Sequence, residues 1–279
     1  MISTPIRRYG AAILMLLTMT FSGGVLAKTH TDTTSHKAHI SKKVSSKTVS
    51  NKVSSKQEYS RNSAKSSSLP DLRKYPSGTP RKKAFLRTVM PYITSQNAAI
   101  TAERNWLISK QYQGQWSPAE RARLKDIAKR YKVKWSGNTR KIPWNTLLER
   151  VDIIPTSMVA TMAAAESGWG TSKLARNNNN LFGMKCMKGR CTNAPGKVKG
   201  YSQFSSVKES VSAYVTNLNT HPAYSSFRKS RAQLRKADQE VTATAMIHKL
   251  KGYSTKGKSY NNYLFAMYQD NQRLIAAHM

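Results

Sequence analysis

Between Lys28 and Pro80 the chain holds very few apolar residues, and that gap confines where a core can form. Ser, Thr and Lys dominate the segment, and its phrase "KKVSSKTVSNKVSSK" reads as slippage of a short repeat. A stretch of this composition cannot bury enough apolar surface to offset the entropy of ordering it. It is expected to be a disordered basic linker over 28–80, with 11 basic against 3 acidic residues. Folding is thereby left to the roughly 200 residues that follow, the size of one ordinary domain.

The first 27 residues have the layout of an export signal. Arg7 and Arg8 supply a short positive region, "AAILMLLTMTF" an apolar run, and "GGVLA" the small residues that precede cleavage, here after Ala27. The run falls short of the ~20 apolar residues of a membrane span. No cysteine lies near the cut, which argues against a lipoprotein, so the expected location is the periplasm. The two cysteines, Cys186 and Cys191 in "CMKGRC", suit a small disulfide in an oxidising compartment. So short a loop pins a local turn more than it stabilises a domain. No H-E-x-x-H and no second cysteine pair is present, so neither metal nor cofactor is expected.

Helical patterning prevails beyond Arg81. "KKAFLRTVMPYITSQNAAITAERNWLISKQYQ" carries Phe85, Val89, Ile93, Ile100 and Leu107 at mostly helical spacing, with Pro91 as an expected kink or break. In "WSPAERARLKDIAKRYKV", Ser117 can cap, Pro118 fits the first helical position, and Glu120 completes a capping box. "PWNTLLERVDI" predicts a third helix and "TSMVATMAAAES" a fourth, restarted by Pro155. From Asn177 to Ser206 the pattern stops, and four glycines with the cysteine pair suggest one or two short β-hairpins. Helix resumes in "SSVKESVSAYVTNLNTH", where Ser206 and Glu209 have capping-box spacing, and continues to the C-terminus. The expectation is an α+β domain, mostly α-helical, with N-terminal helices over 81–150 and a core over 151–279.

At the end of the alanine-rich helix stands Glu166, in line with Val159, Met162 and Ala163 on an apolar face. Burial there and the negative end of the helix dipole both disfavour ionisation. A carboxyl group that keeps its proton is what glycosidic cleavage needs, to protonate the departing sugar oxygen. Lys173, Arg176 and Lys185 oppose this if their side chains approach. Trp169 offers a flat apolar face for a sugar ring, and "NNNNLFG" offers uncharged amides. A structural reading stands beside this one: Glu166 exposed, Trp169 anchoring the core, and the asparagines forming a polar loop.

The motif "ESGWGTSKLARNNNNLFGMK" resembles the signature of the bacterial cell-wall glucosaminidases of glycoside hydrolase family 73. The likeness continues in "FSSVKESVSAYVTNLNTHPAY" and "GYSTKGKSYNNYL", so it spans about residues 155 to 275 in order. The resemblance implies a lysozyme-like domain with a small β-hairpin lobe and Glu166 as general acid. It also implies hydrolysis of the β-1,4 bond between N-acetylglucosamine and N-acetylmuramic acid in peptidoglycan. Trp169, Asn180, Tyr253 and Tyr260 match positions flanking the acid or holding sugar, and Leu181 and Phe182 match structural ones.

One departure touches mechanism. Several relatives place a second carboxylate on the hairpin, whereas here no Asp or Glu lies between Ser167 and Lys208. Glu209 sits in a capping position, and Asp238 and Glu240 are remote. The substrate's own 2-acetamido group can act as nucleophile instead. A lytic transglycosylase, or a wall-binding protein without catalysis, fits the same residues. The formal charge of +34 draws the chain to polyanions. Export argues against nucleic acid, leaving peptidoglycan glycan strands and weak association with anionic envelope surfaces as expected partners of a monomer.

Overall fold

The structure, a computed structural model, describes residues 68–186, 191, 194–251, 253 and 257–279. The signal-peptide expectation and the linker up to residue 67 lie outside these. Packing begins ahead of the expected linker boundary at 80. Leu69 and Leu72 are buried, and Leu72 opens a 3₁₀ turn, Leu72–Lys74, capped by Asp71. Two leucines dispersed among polar residues carry no periodicity, which is why composition alone assigned them to the linker.

The chain then forms helix α1 over Thr79–Ser109, unbroken across Pro91. Pro91 and Arg87 are both exposed, so the carbonyl that the ring leaves without a partner faces water. Helix α2 spans Pro118–Arg130 and starts with the capping box expected of Ser117 and Glu120. Helices α3, Trp144–Arg150, and α4, Thr156–Ser167, follow. Asn97 on α1 sets the start of α4 by donating to the Ile154 carbonyl at 2.8 Å and to Thr156 Oγ1 at 3.1 Å.

Seven consecutive residues of α4, Met158 to Ala164, are buried. The helix is therefore enclosed on all sides and has no single inward stripe, as expected of a helix apolar all round. Around it stand α1, the short α8, Ala243–Ile247, and the long C-terminal α9, Lys258–Ala276. Between them run α5, Lys173–Asn178, then α6, Val207–Thr220, and α7, Ser225–Lys236. Ser206 caps α6 through the Glu209 amide, but the Glu209 carboxylate reaches back one residue further than a capping box requires. It accepts from the Ser205 amide at 2.7 Å and the Ser205 hydroxyl at 2.8 Å.

The hairpin lobe expected between 177 and 206 is seen only in part. Among the described residues it holds only two isolated antiparallel bridges, Lys185 with Tyr201 and Cys191 with Ser202. Residues 187–190, 192 and 193 lie outside the description. Side chains do the joining that a strand ladder would do. Asn178, fully buried, accepts from the Val198 amide at 2.9 Å and donates to its carbonyl at 3.1 Å. Asn179 donates to the Phe204 carbonyl and accepts from the Leu69 amide. Asn180 accepts from the Met184 amide at 3.0 Å and donates to the carbonyls of Met184 and Ser202 at 2.8 and 3.0 Å. Cys186 and Cys191 form the expected disulfide. Described residues include no helix long and apolar enough to cross a membrane.

Candidate active site

A left-handed turn and a returning loop place the end of α4 beside a cleft. The backbone leaves the helix through Gly168, Trp169 and Gly170, at φ of 57°, 55° and 78°. Ser167 secures this turn, its hydroxyl donating to the Ala163 carbonyl at 2.6 Å and accepting from the Gly170 amide at 2.8 Å. Gly170 has no room for a side chain, because a Cβ there would stand 2.6 Å from Leu72 Cδ1 and 3.1 Å from the Phe85 ring. The chain returns past Glu166 at Gly183, where a Cβ would lie 3.5 Å from Glu166 Oε2. Glu166 is left lining a cleft of about 650 Å³.

The cleft has three sides. The segment 182–186 forms one wall, and Tyr214, Asn217 and His221 from α6 with Tyr224 form the other. Tyr253 and Tyr260, the latter on α9, complete the lining. Phe182 stacks flat on Tyr214 with ring centroids 3.9 Å apart. Tyr253 stacks on Tyr260 at 5.4 Å and lies 6.1 Å from Tyr224. Tyrosine presents an apolar face to a sugar ring and a hydroxyl to its edge.

Glu166 is partly buried, and the Tyr260 hydroxyl donates to its Oε1. Burial raises the Glu166 pKa above the ordinary 4.5, and the Tyr260 hydrogen bond, which favours the charged form, opposes that rise without cancelling it. The lysines and arginine weighed against it in the sequence do not enter this balance. The Tyr260 hydroxyl is itself held well above the usual phenol range by burial, with Tyr253 and Glu166 adding to the effect, so it stays a donor. Among the described residues that line the cleft Glu166 is the one carboxylic acid. The described residues contain no group of three or more His, Cys, Asp or Glu close enough together to hold a metal ion.

Replacing Tyr260 by Phe therefore tests the proton balance. General acid catalysis falls away as pH rises through the acid's folded-state pKa. Removing a bond that favours the carboxylate moves this basic limb of kcat/KM upward, by about one pH unit for a hydrogen bond to a charged group. A pH–rate profile reads the shift, and an unmoved limb would mean that the tyrosine does not govern the proton.

Two sequence expectations are corrected here. Trp169 does not line the cleft: it packs edge-on against Phe85 at 5.6 Å, with Lys82 Nζ 5.1 Å from its ring centroid. Its left-handed backbone turns it toward α1. Asn180 is 1% exposed, with its amide occupied by backbone partners, so it fastens the loop and is not among the residues lining the cleft. Tyr253 and Tyr260 do join Glu166, as does Phe182. Tyr214, Asn217, His221 and Tyr224 were not singled out in the sequence. The first three recur at intervals of three and four, a stripe along one side of α6 that periodicity could have revealed.

An enclosed carboxyl group beside aromatic walls, in a helical body, is the equipment of a glycan-cleaving domain. The chain belongs to the family described as mannosyl-glycoprotein endo-beta-N-acetylglucosaminidase, which it matches over residues 143–273. It is similar to Protein bax of Escherichia coli (strain K12), with 93% identity over 283 aligned positions that cover 100% of both chains. No solved structure matches it.

Proposed function

We propose that this chain is an exported peptidoglycan hydrolase, an endo-β-N-acetylglucosaminidase that cleaves the β-1,4 bond between N-acetylglucosamine and N-acetylmuramic acid. The observation that carries the reading is Glu166, an acid whose pKa burial raises, lining a tyrosine-walled cleft of about 650 Å³. In this reading Glu166 gives its proton to the bridging oxygen as the bond to the anomeric carbon breaks. Among the described residues no second carboxylate lines the cleft, so the acetamido oxygen of the sugar being cleaved attacks that carbon, forming a cyclic cation. Glu166, now ionised, takes a proton from water as the water opens the ring and restores the acetamido group. Tyr260 holds the carboxylate through this exchange. The same reading takes the helical body as the lysozyme-like fold that the family resemblance implies, and the N-terminal segment as a signal peptide cleaved after Ala27.

The lone acid also favours a second reading, a lytic transglycosylase, which needs one catalytic carboxyl group. Mass spectrometry of digested sacculi separates them. Hydrolysis leaves N-acetylglucosamine at new reducing ends, and transglycosylation leaves 1,6-anhydro-muramic ends. Intact sacculi after digestion with the purified protein would leave a wall-binding role alone.

Positive charge supports the choice of substrate, since stem-peptide carboxylates make peptidoglycan anionic. Screening shortens the reach of such attraction from about 30 Å at 0.01 M salt to about 8 Å at 0.15 M. Co-sedimentation with sacculi is expected to fall severalfold over that interval. Binding that ignores salt would remove the electrostatic account.

A further inference from the structure

We infer that Lys185 recognises a carboxylate carried on the glycan strand, so that the cleft prefers carboxylate-bearing strands to neutral ones of the same length. The inference rests on the glycosidase reading above and names what that reading leaves open, the feature that tells one N-acetylated strand from another. Lys185 lines the same cleft as Glu166. Its backbone is fixed on both sides: it bridges to Tyr201, its carbonyl accepts from Ser202 Oγ at 2.8 Å, and the Cys186 amide donates to Gly200 at 3.1 Å. The side chain is held as well. Its ammonium lies 4.2 Å from the Tyr201 ring centroid and donates to the Tyr201 hydroxyl at 3.0 Å.

An ammonium has three donors, and Tyr201 takes one. No carboxylate among the described residues forms an ion pair with Lys185. The ammonium is thus held on Tyr201 with two donors to spare, on a residue that lines the cleft. Ordering a long lysine side chain ordinarily subtracts from binding, and here the ring and the hydroxyl already hold it. N-acetylglucosamine has no charge to offer. The muramyl sugar carries a lactyl ether that ends either in a free carboxylate or in a peptide bearing carboxylates of its own. Both present the same chemistry.

The test is binding, measured by titration calorimetry with the full chain carrying Glu166→Gln so that no ligand is consumed. Three tetrasaccharides are compared: N-acetylglucosamine alone, alternating N-acetylmuramic acid with free lactyl groups, and the same strand with stem peptides. Adding Lys185→Met is expected to weaken a carboxylate-bearing ligand about tenfold, the low end for a hydrogen bond to a charged group. The neutral ligand should change less than twofold, and Lys185→Arg should keep the preference. Loss confined to the lactyl strand names that carboxylate as the ligand, and loss confined to the peptide strand names the stem. Equal loss on all three, no loss on any, or the same loss from Lys125→Met on the distant α2 would overturn the inference while leaving the glycosidase reading intact. Failure of all three ligands to bind the Glu166→Gln chain would overturn both.

Discussion

Glu166→Gln should reduce release of soluble fragments from purified sacculi by about 10³-fold, the scale of a lost general acid. Glutamine keeps the shape of the side chain and still accepts from Tyr260, but it has no proton to give to a sugar oxygen. The same variant has a second readout that does not depend on substrate. The folded-state pKa of Glu166 lies above its ordinary 4.5, so its stabilising contribution is complete below the unfolded value and is lost as pH rises through the folded one. As pH rises above the unfolded value the partly buried carboxyl group therefore contributes progressively less, and at neutral pH the amide should melt higher. The difference should close below about pH 4.5. Wild-type hydrolysis by the variant would remove Glu166 from the chemistry. A melting temperature that falls at neutral pH would contradict the burial argument.

Asp152→Ala should be the most destabilising single change outside the cleft. Asp152 is 1% exposed and stands among three arginines. Arg235 approaches it at 3.0 Å, and Arg104 and the fully buried Arg231 at 3.6 Å. These arginines also tie loops together: Arg231 donates to the carbonyls of Glu149, Asp152 and Ile153. Burial has already drawn the Arg231 guanidinium down to about 10, and Asp152 is a principal charge opposing that shift. Removing the carboxylate leaves buried positive charge without compensation, at a cost of about 3–5 kcal/mol. For a folded body of this size that corresponds to roughly 10 °C in Tm. Thermal unfolding of Asp152→Ala against Asp152→Asn reads it directly. A loss under about 1 kcal/mol would mean that the backbone hydrogen bonds hold the arginines alone.

The cluster also reaches the cleft. Arg228, buried beside it, donates to the His221 carbonyl at 2.8 Å and to that of Leu218 at 3.1 Å. Both carbonyls belong to the C-terminal end of α6, where His221 turns into the cleft wall. The aromatic wall thus stands on charged groups far away in sequence, between residues 104 and 235.

Local chemistry was legible where its cause was local. Ser117 and Ser206 cap the helices their sequences announce, because a hydroxyl meets an amide three residues on whatever the rest of the chain does. The cysteine pair closes over five residues for the same reason. Glu166 was visible as a lone acid after an apolar helix, since α4 carries too many apolar side chains to lie anywhere but inside. Glycines and a cysteine turn suggested a hairpin lobe, of which the described residues show two isolated antiparallel bridges. Four asparagines make the connections instead, and their partners sit up to 110 residues away.

By itself, then, the sequence determined most of the longer helices, the caps that start two of them, and that one acid would end the buried helix. Periodicity and capping are nearest-neighbour physics. Only the tertiary structure decided which aromatics face that acid. Trp169 is three residues from Glu166, yet a left-handed turn and contact with Phe85 direct it away, while Tyr260, 94 residues on, donates to it. A cleft is made by helices meeting, and no spacing along one chain segment records which helix will lie opposite.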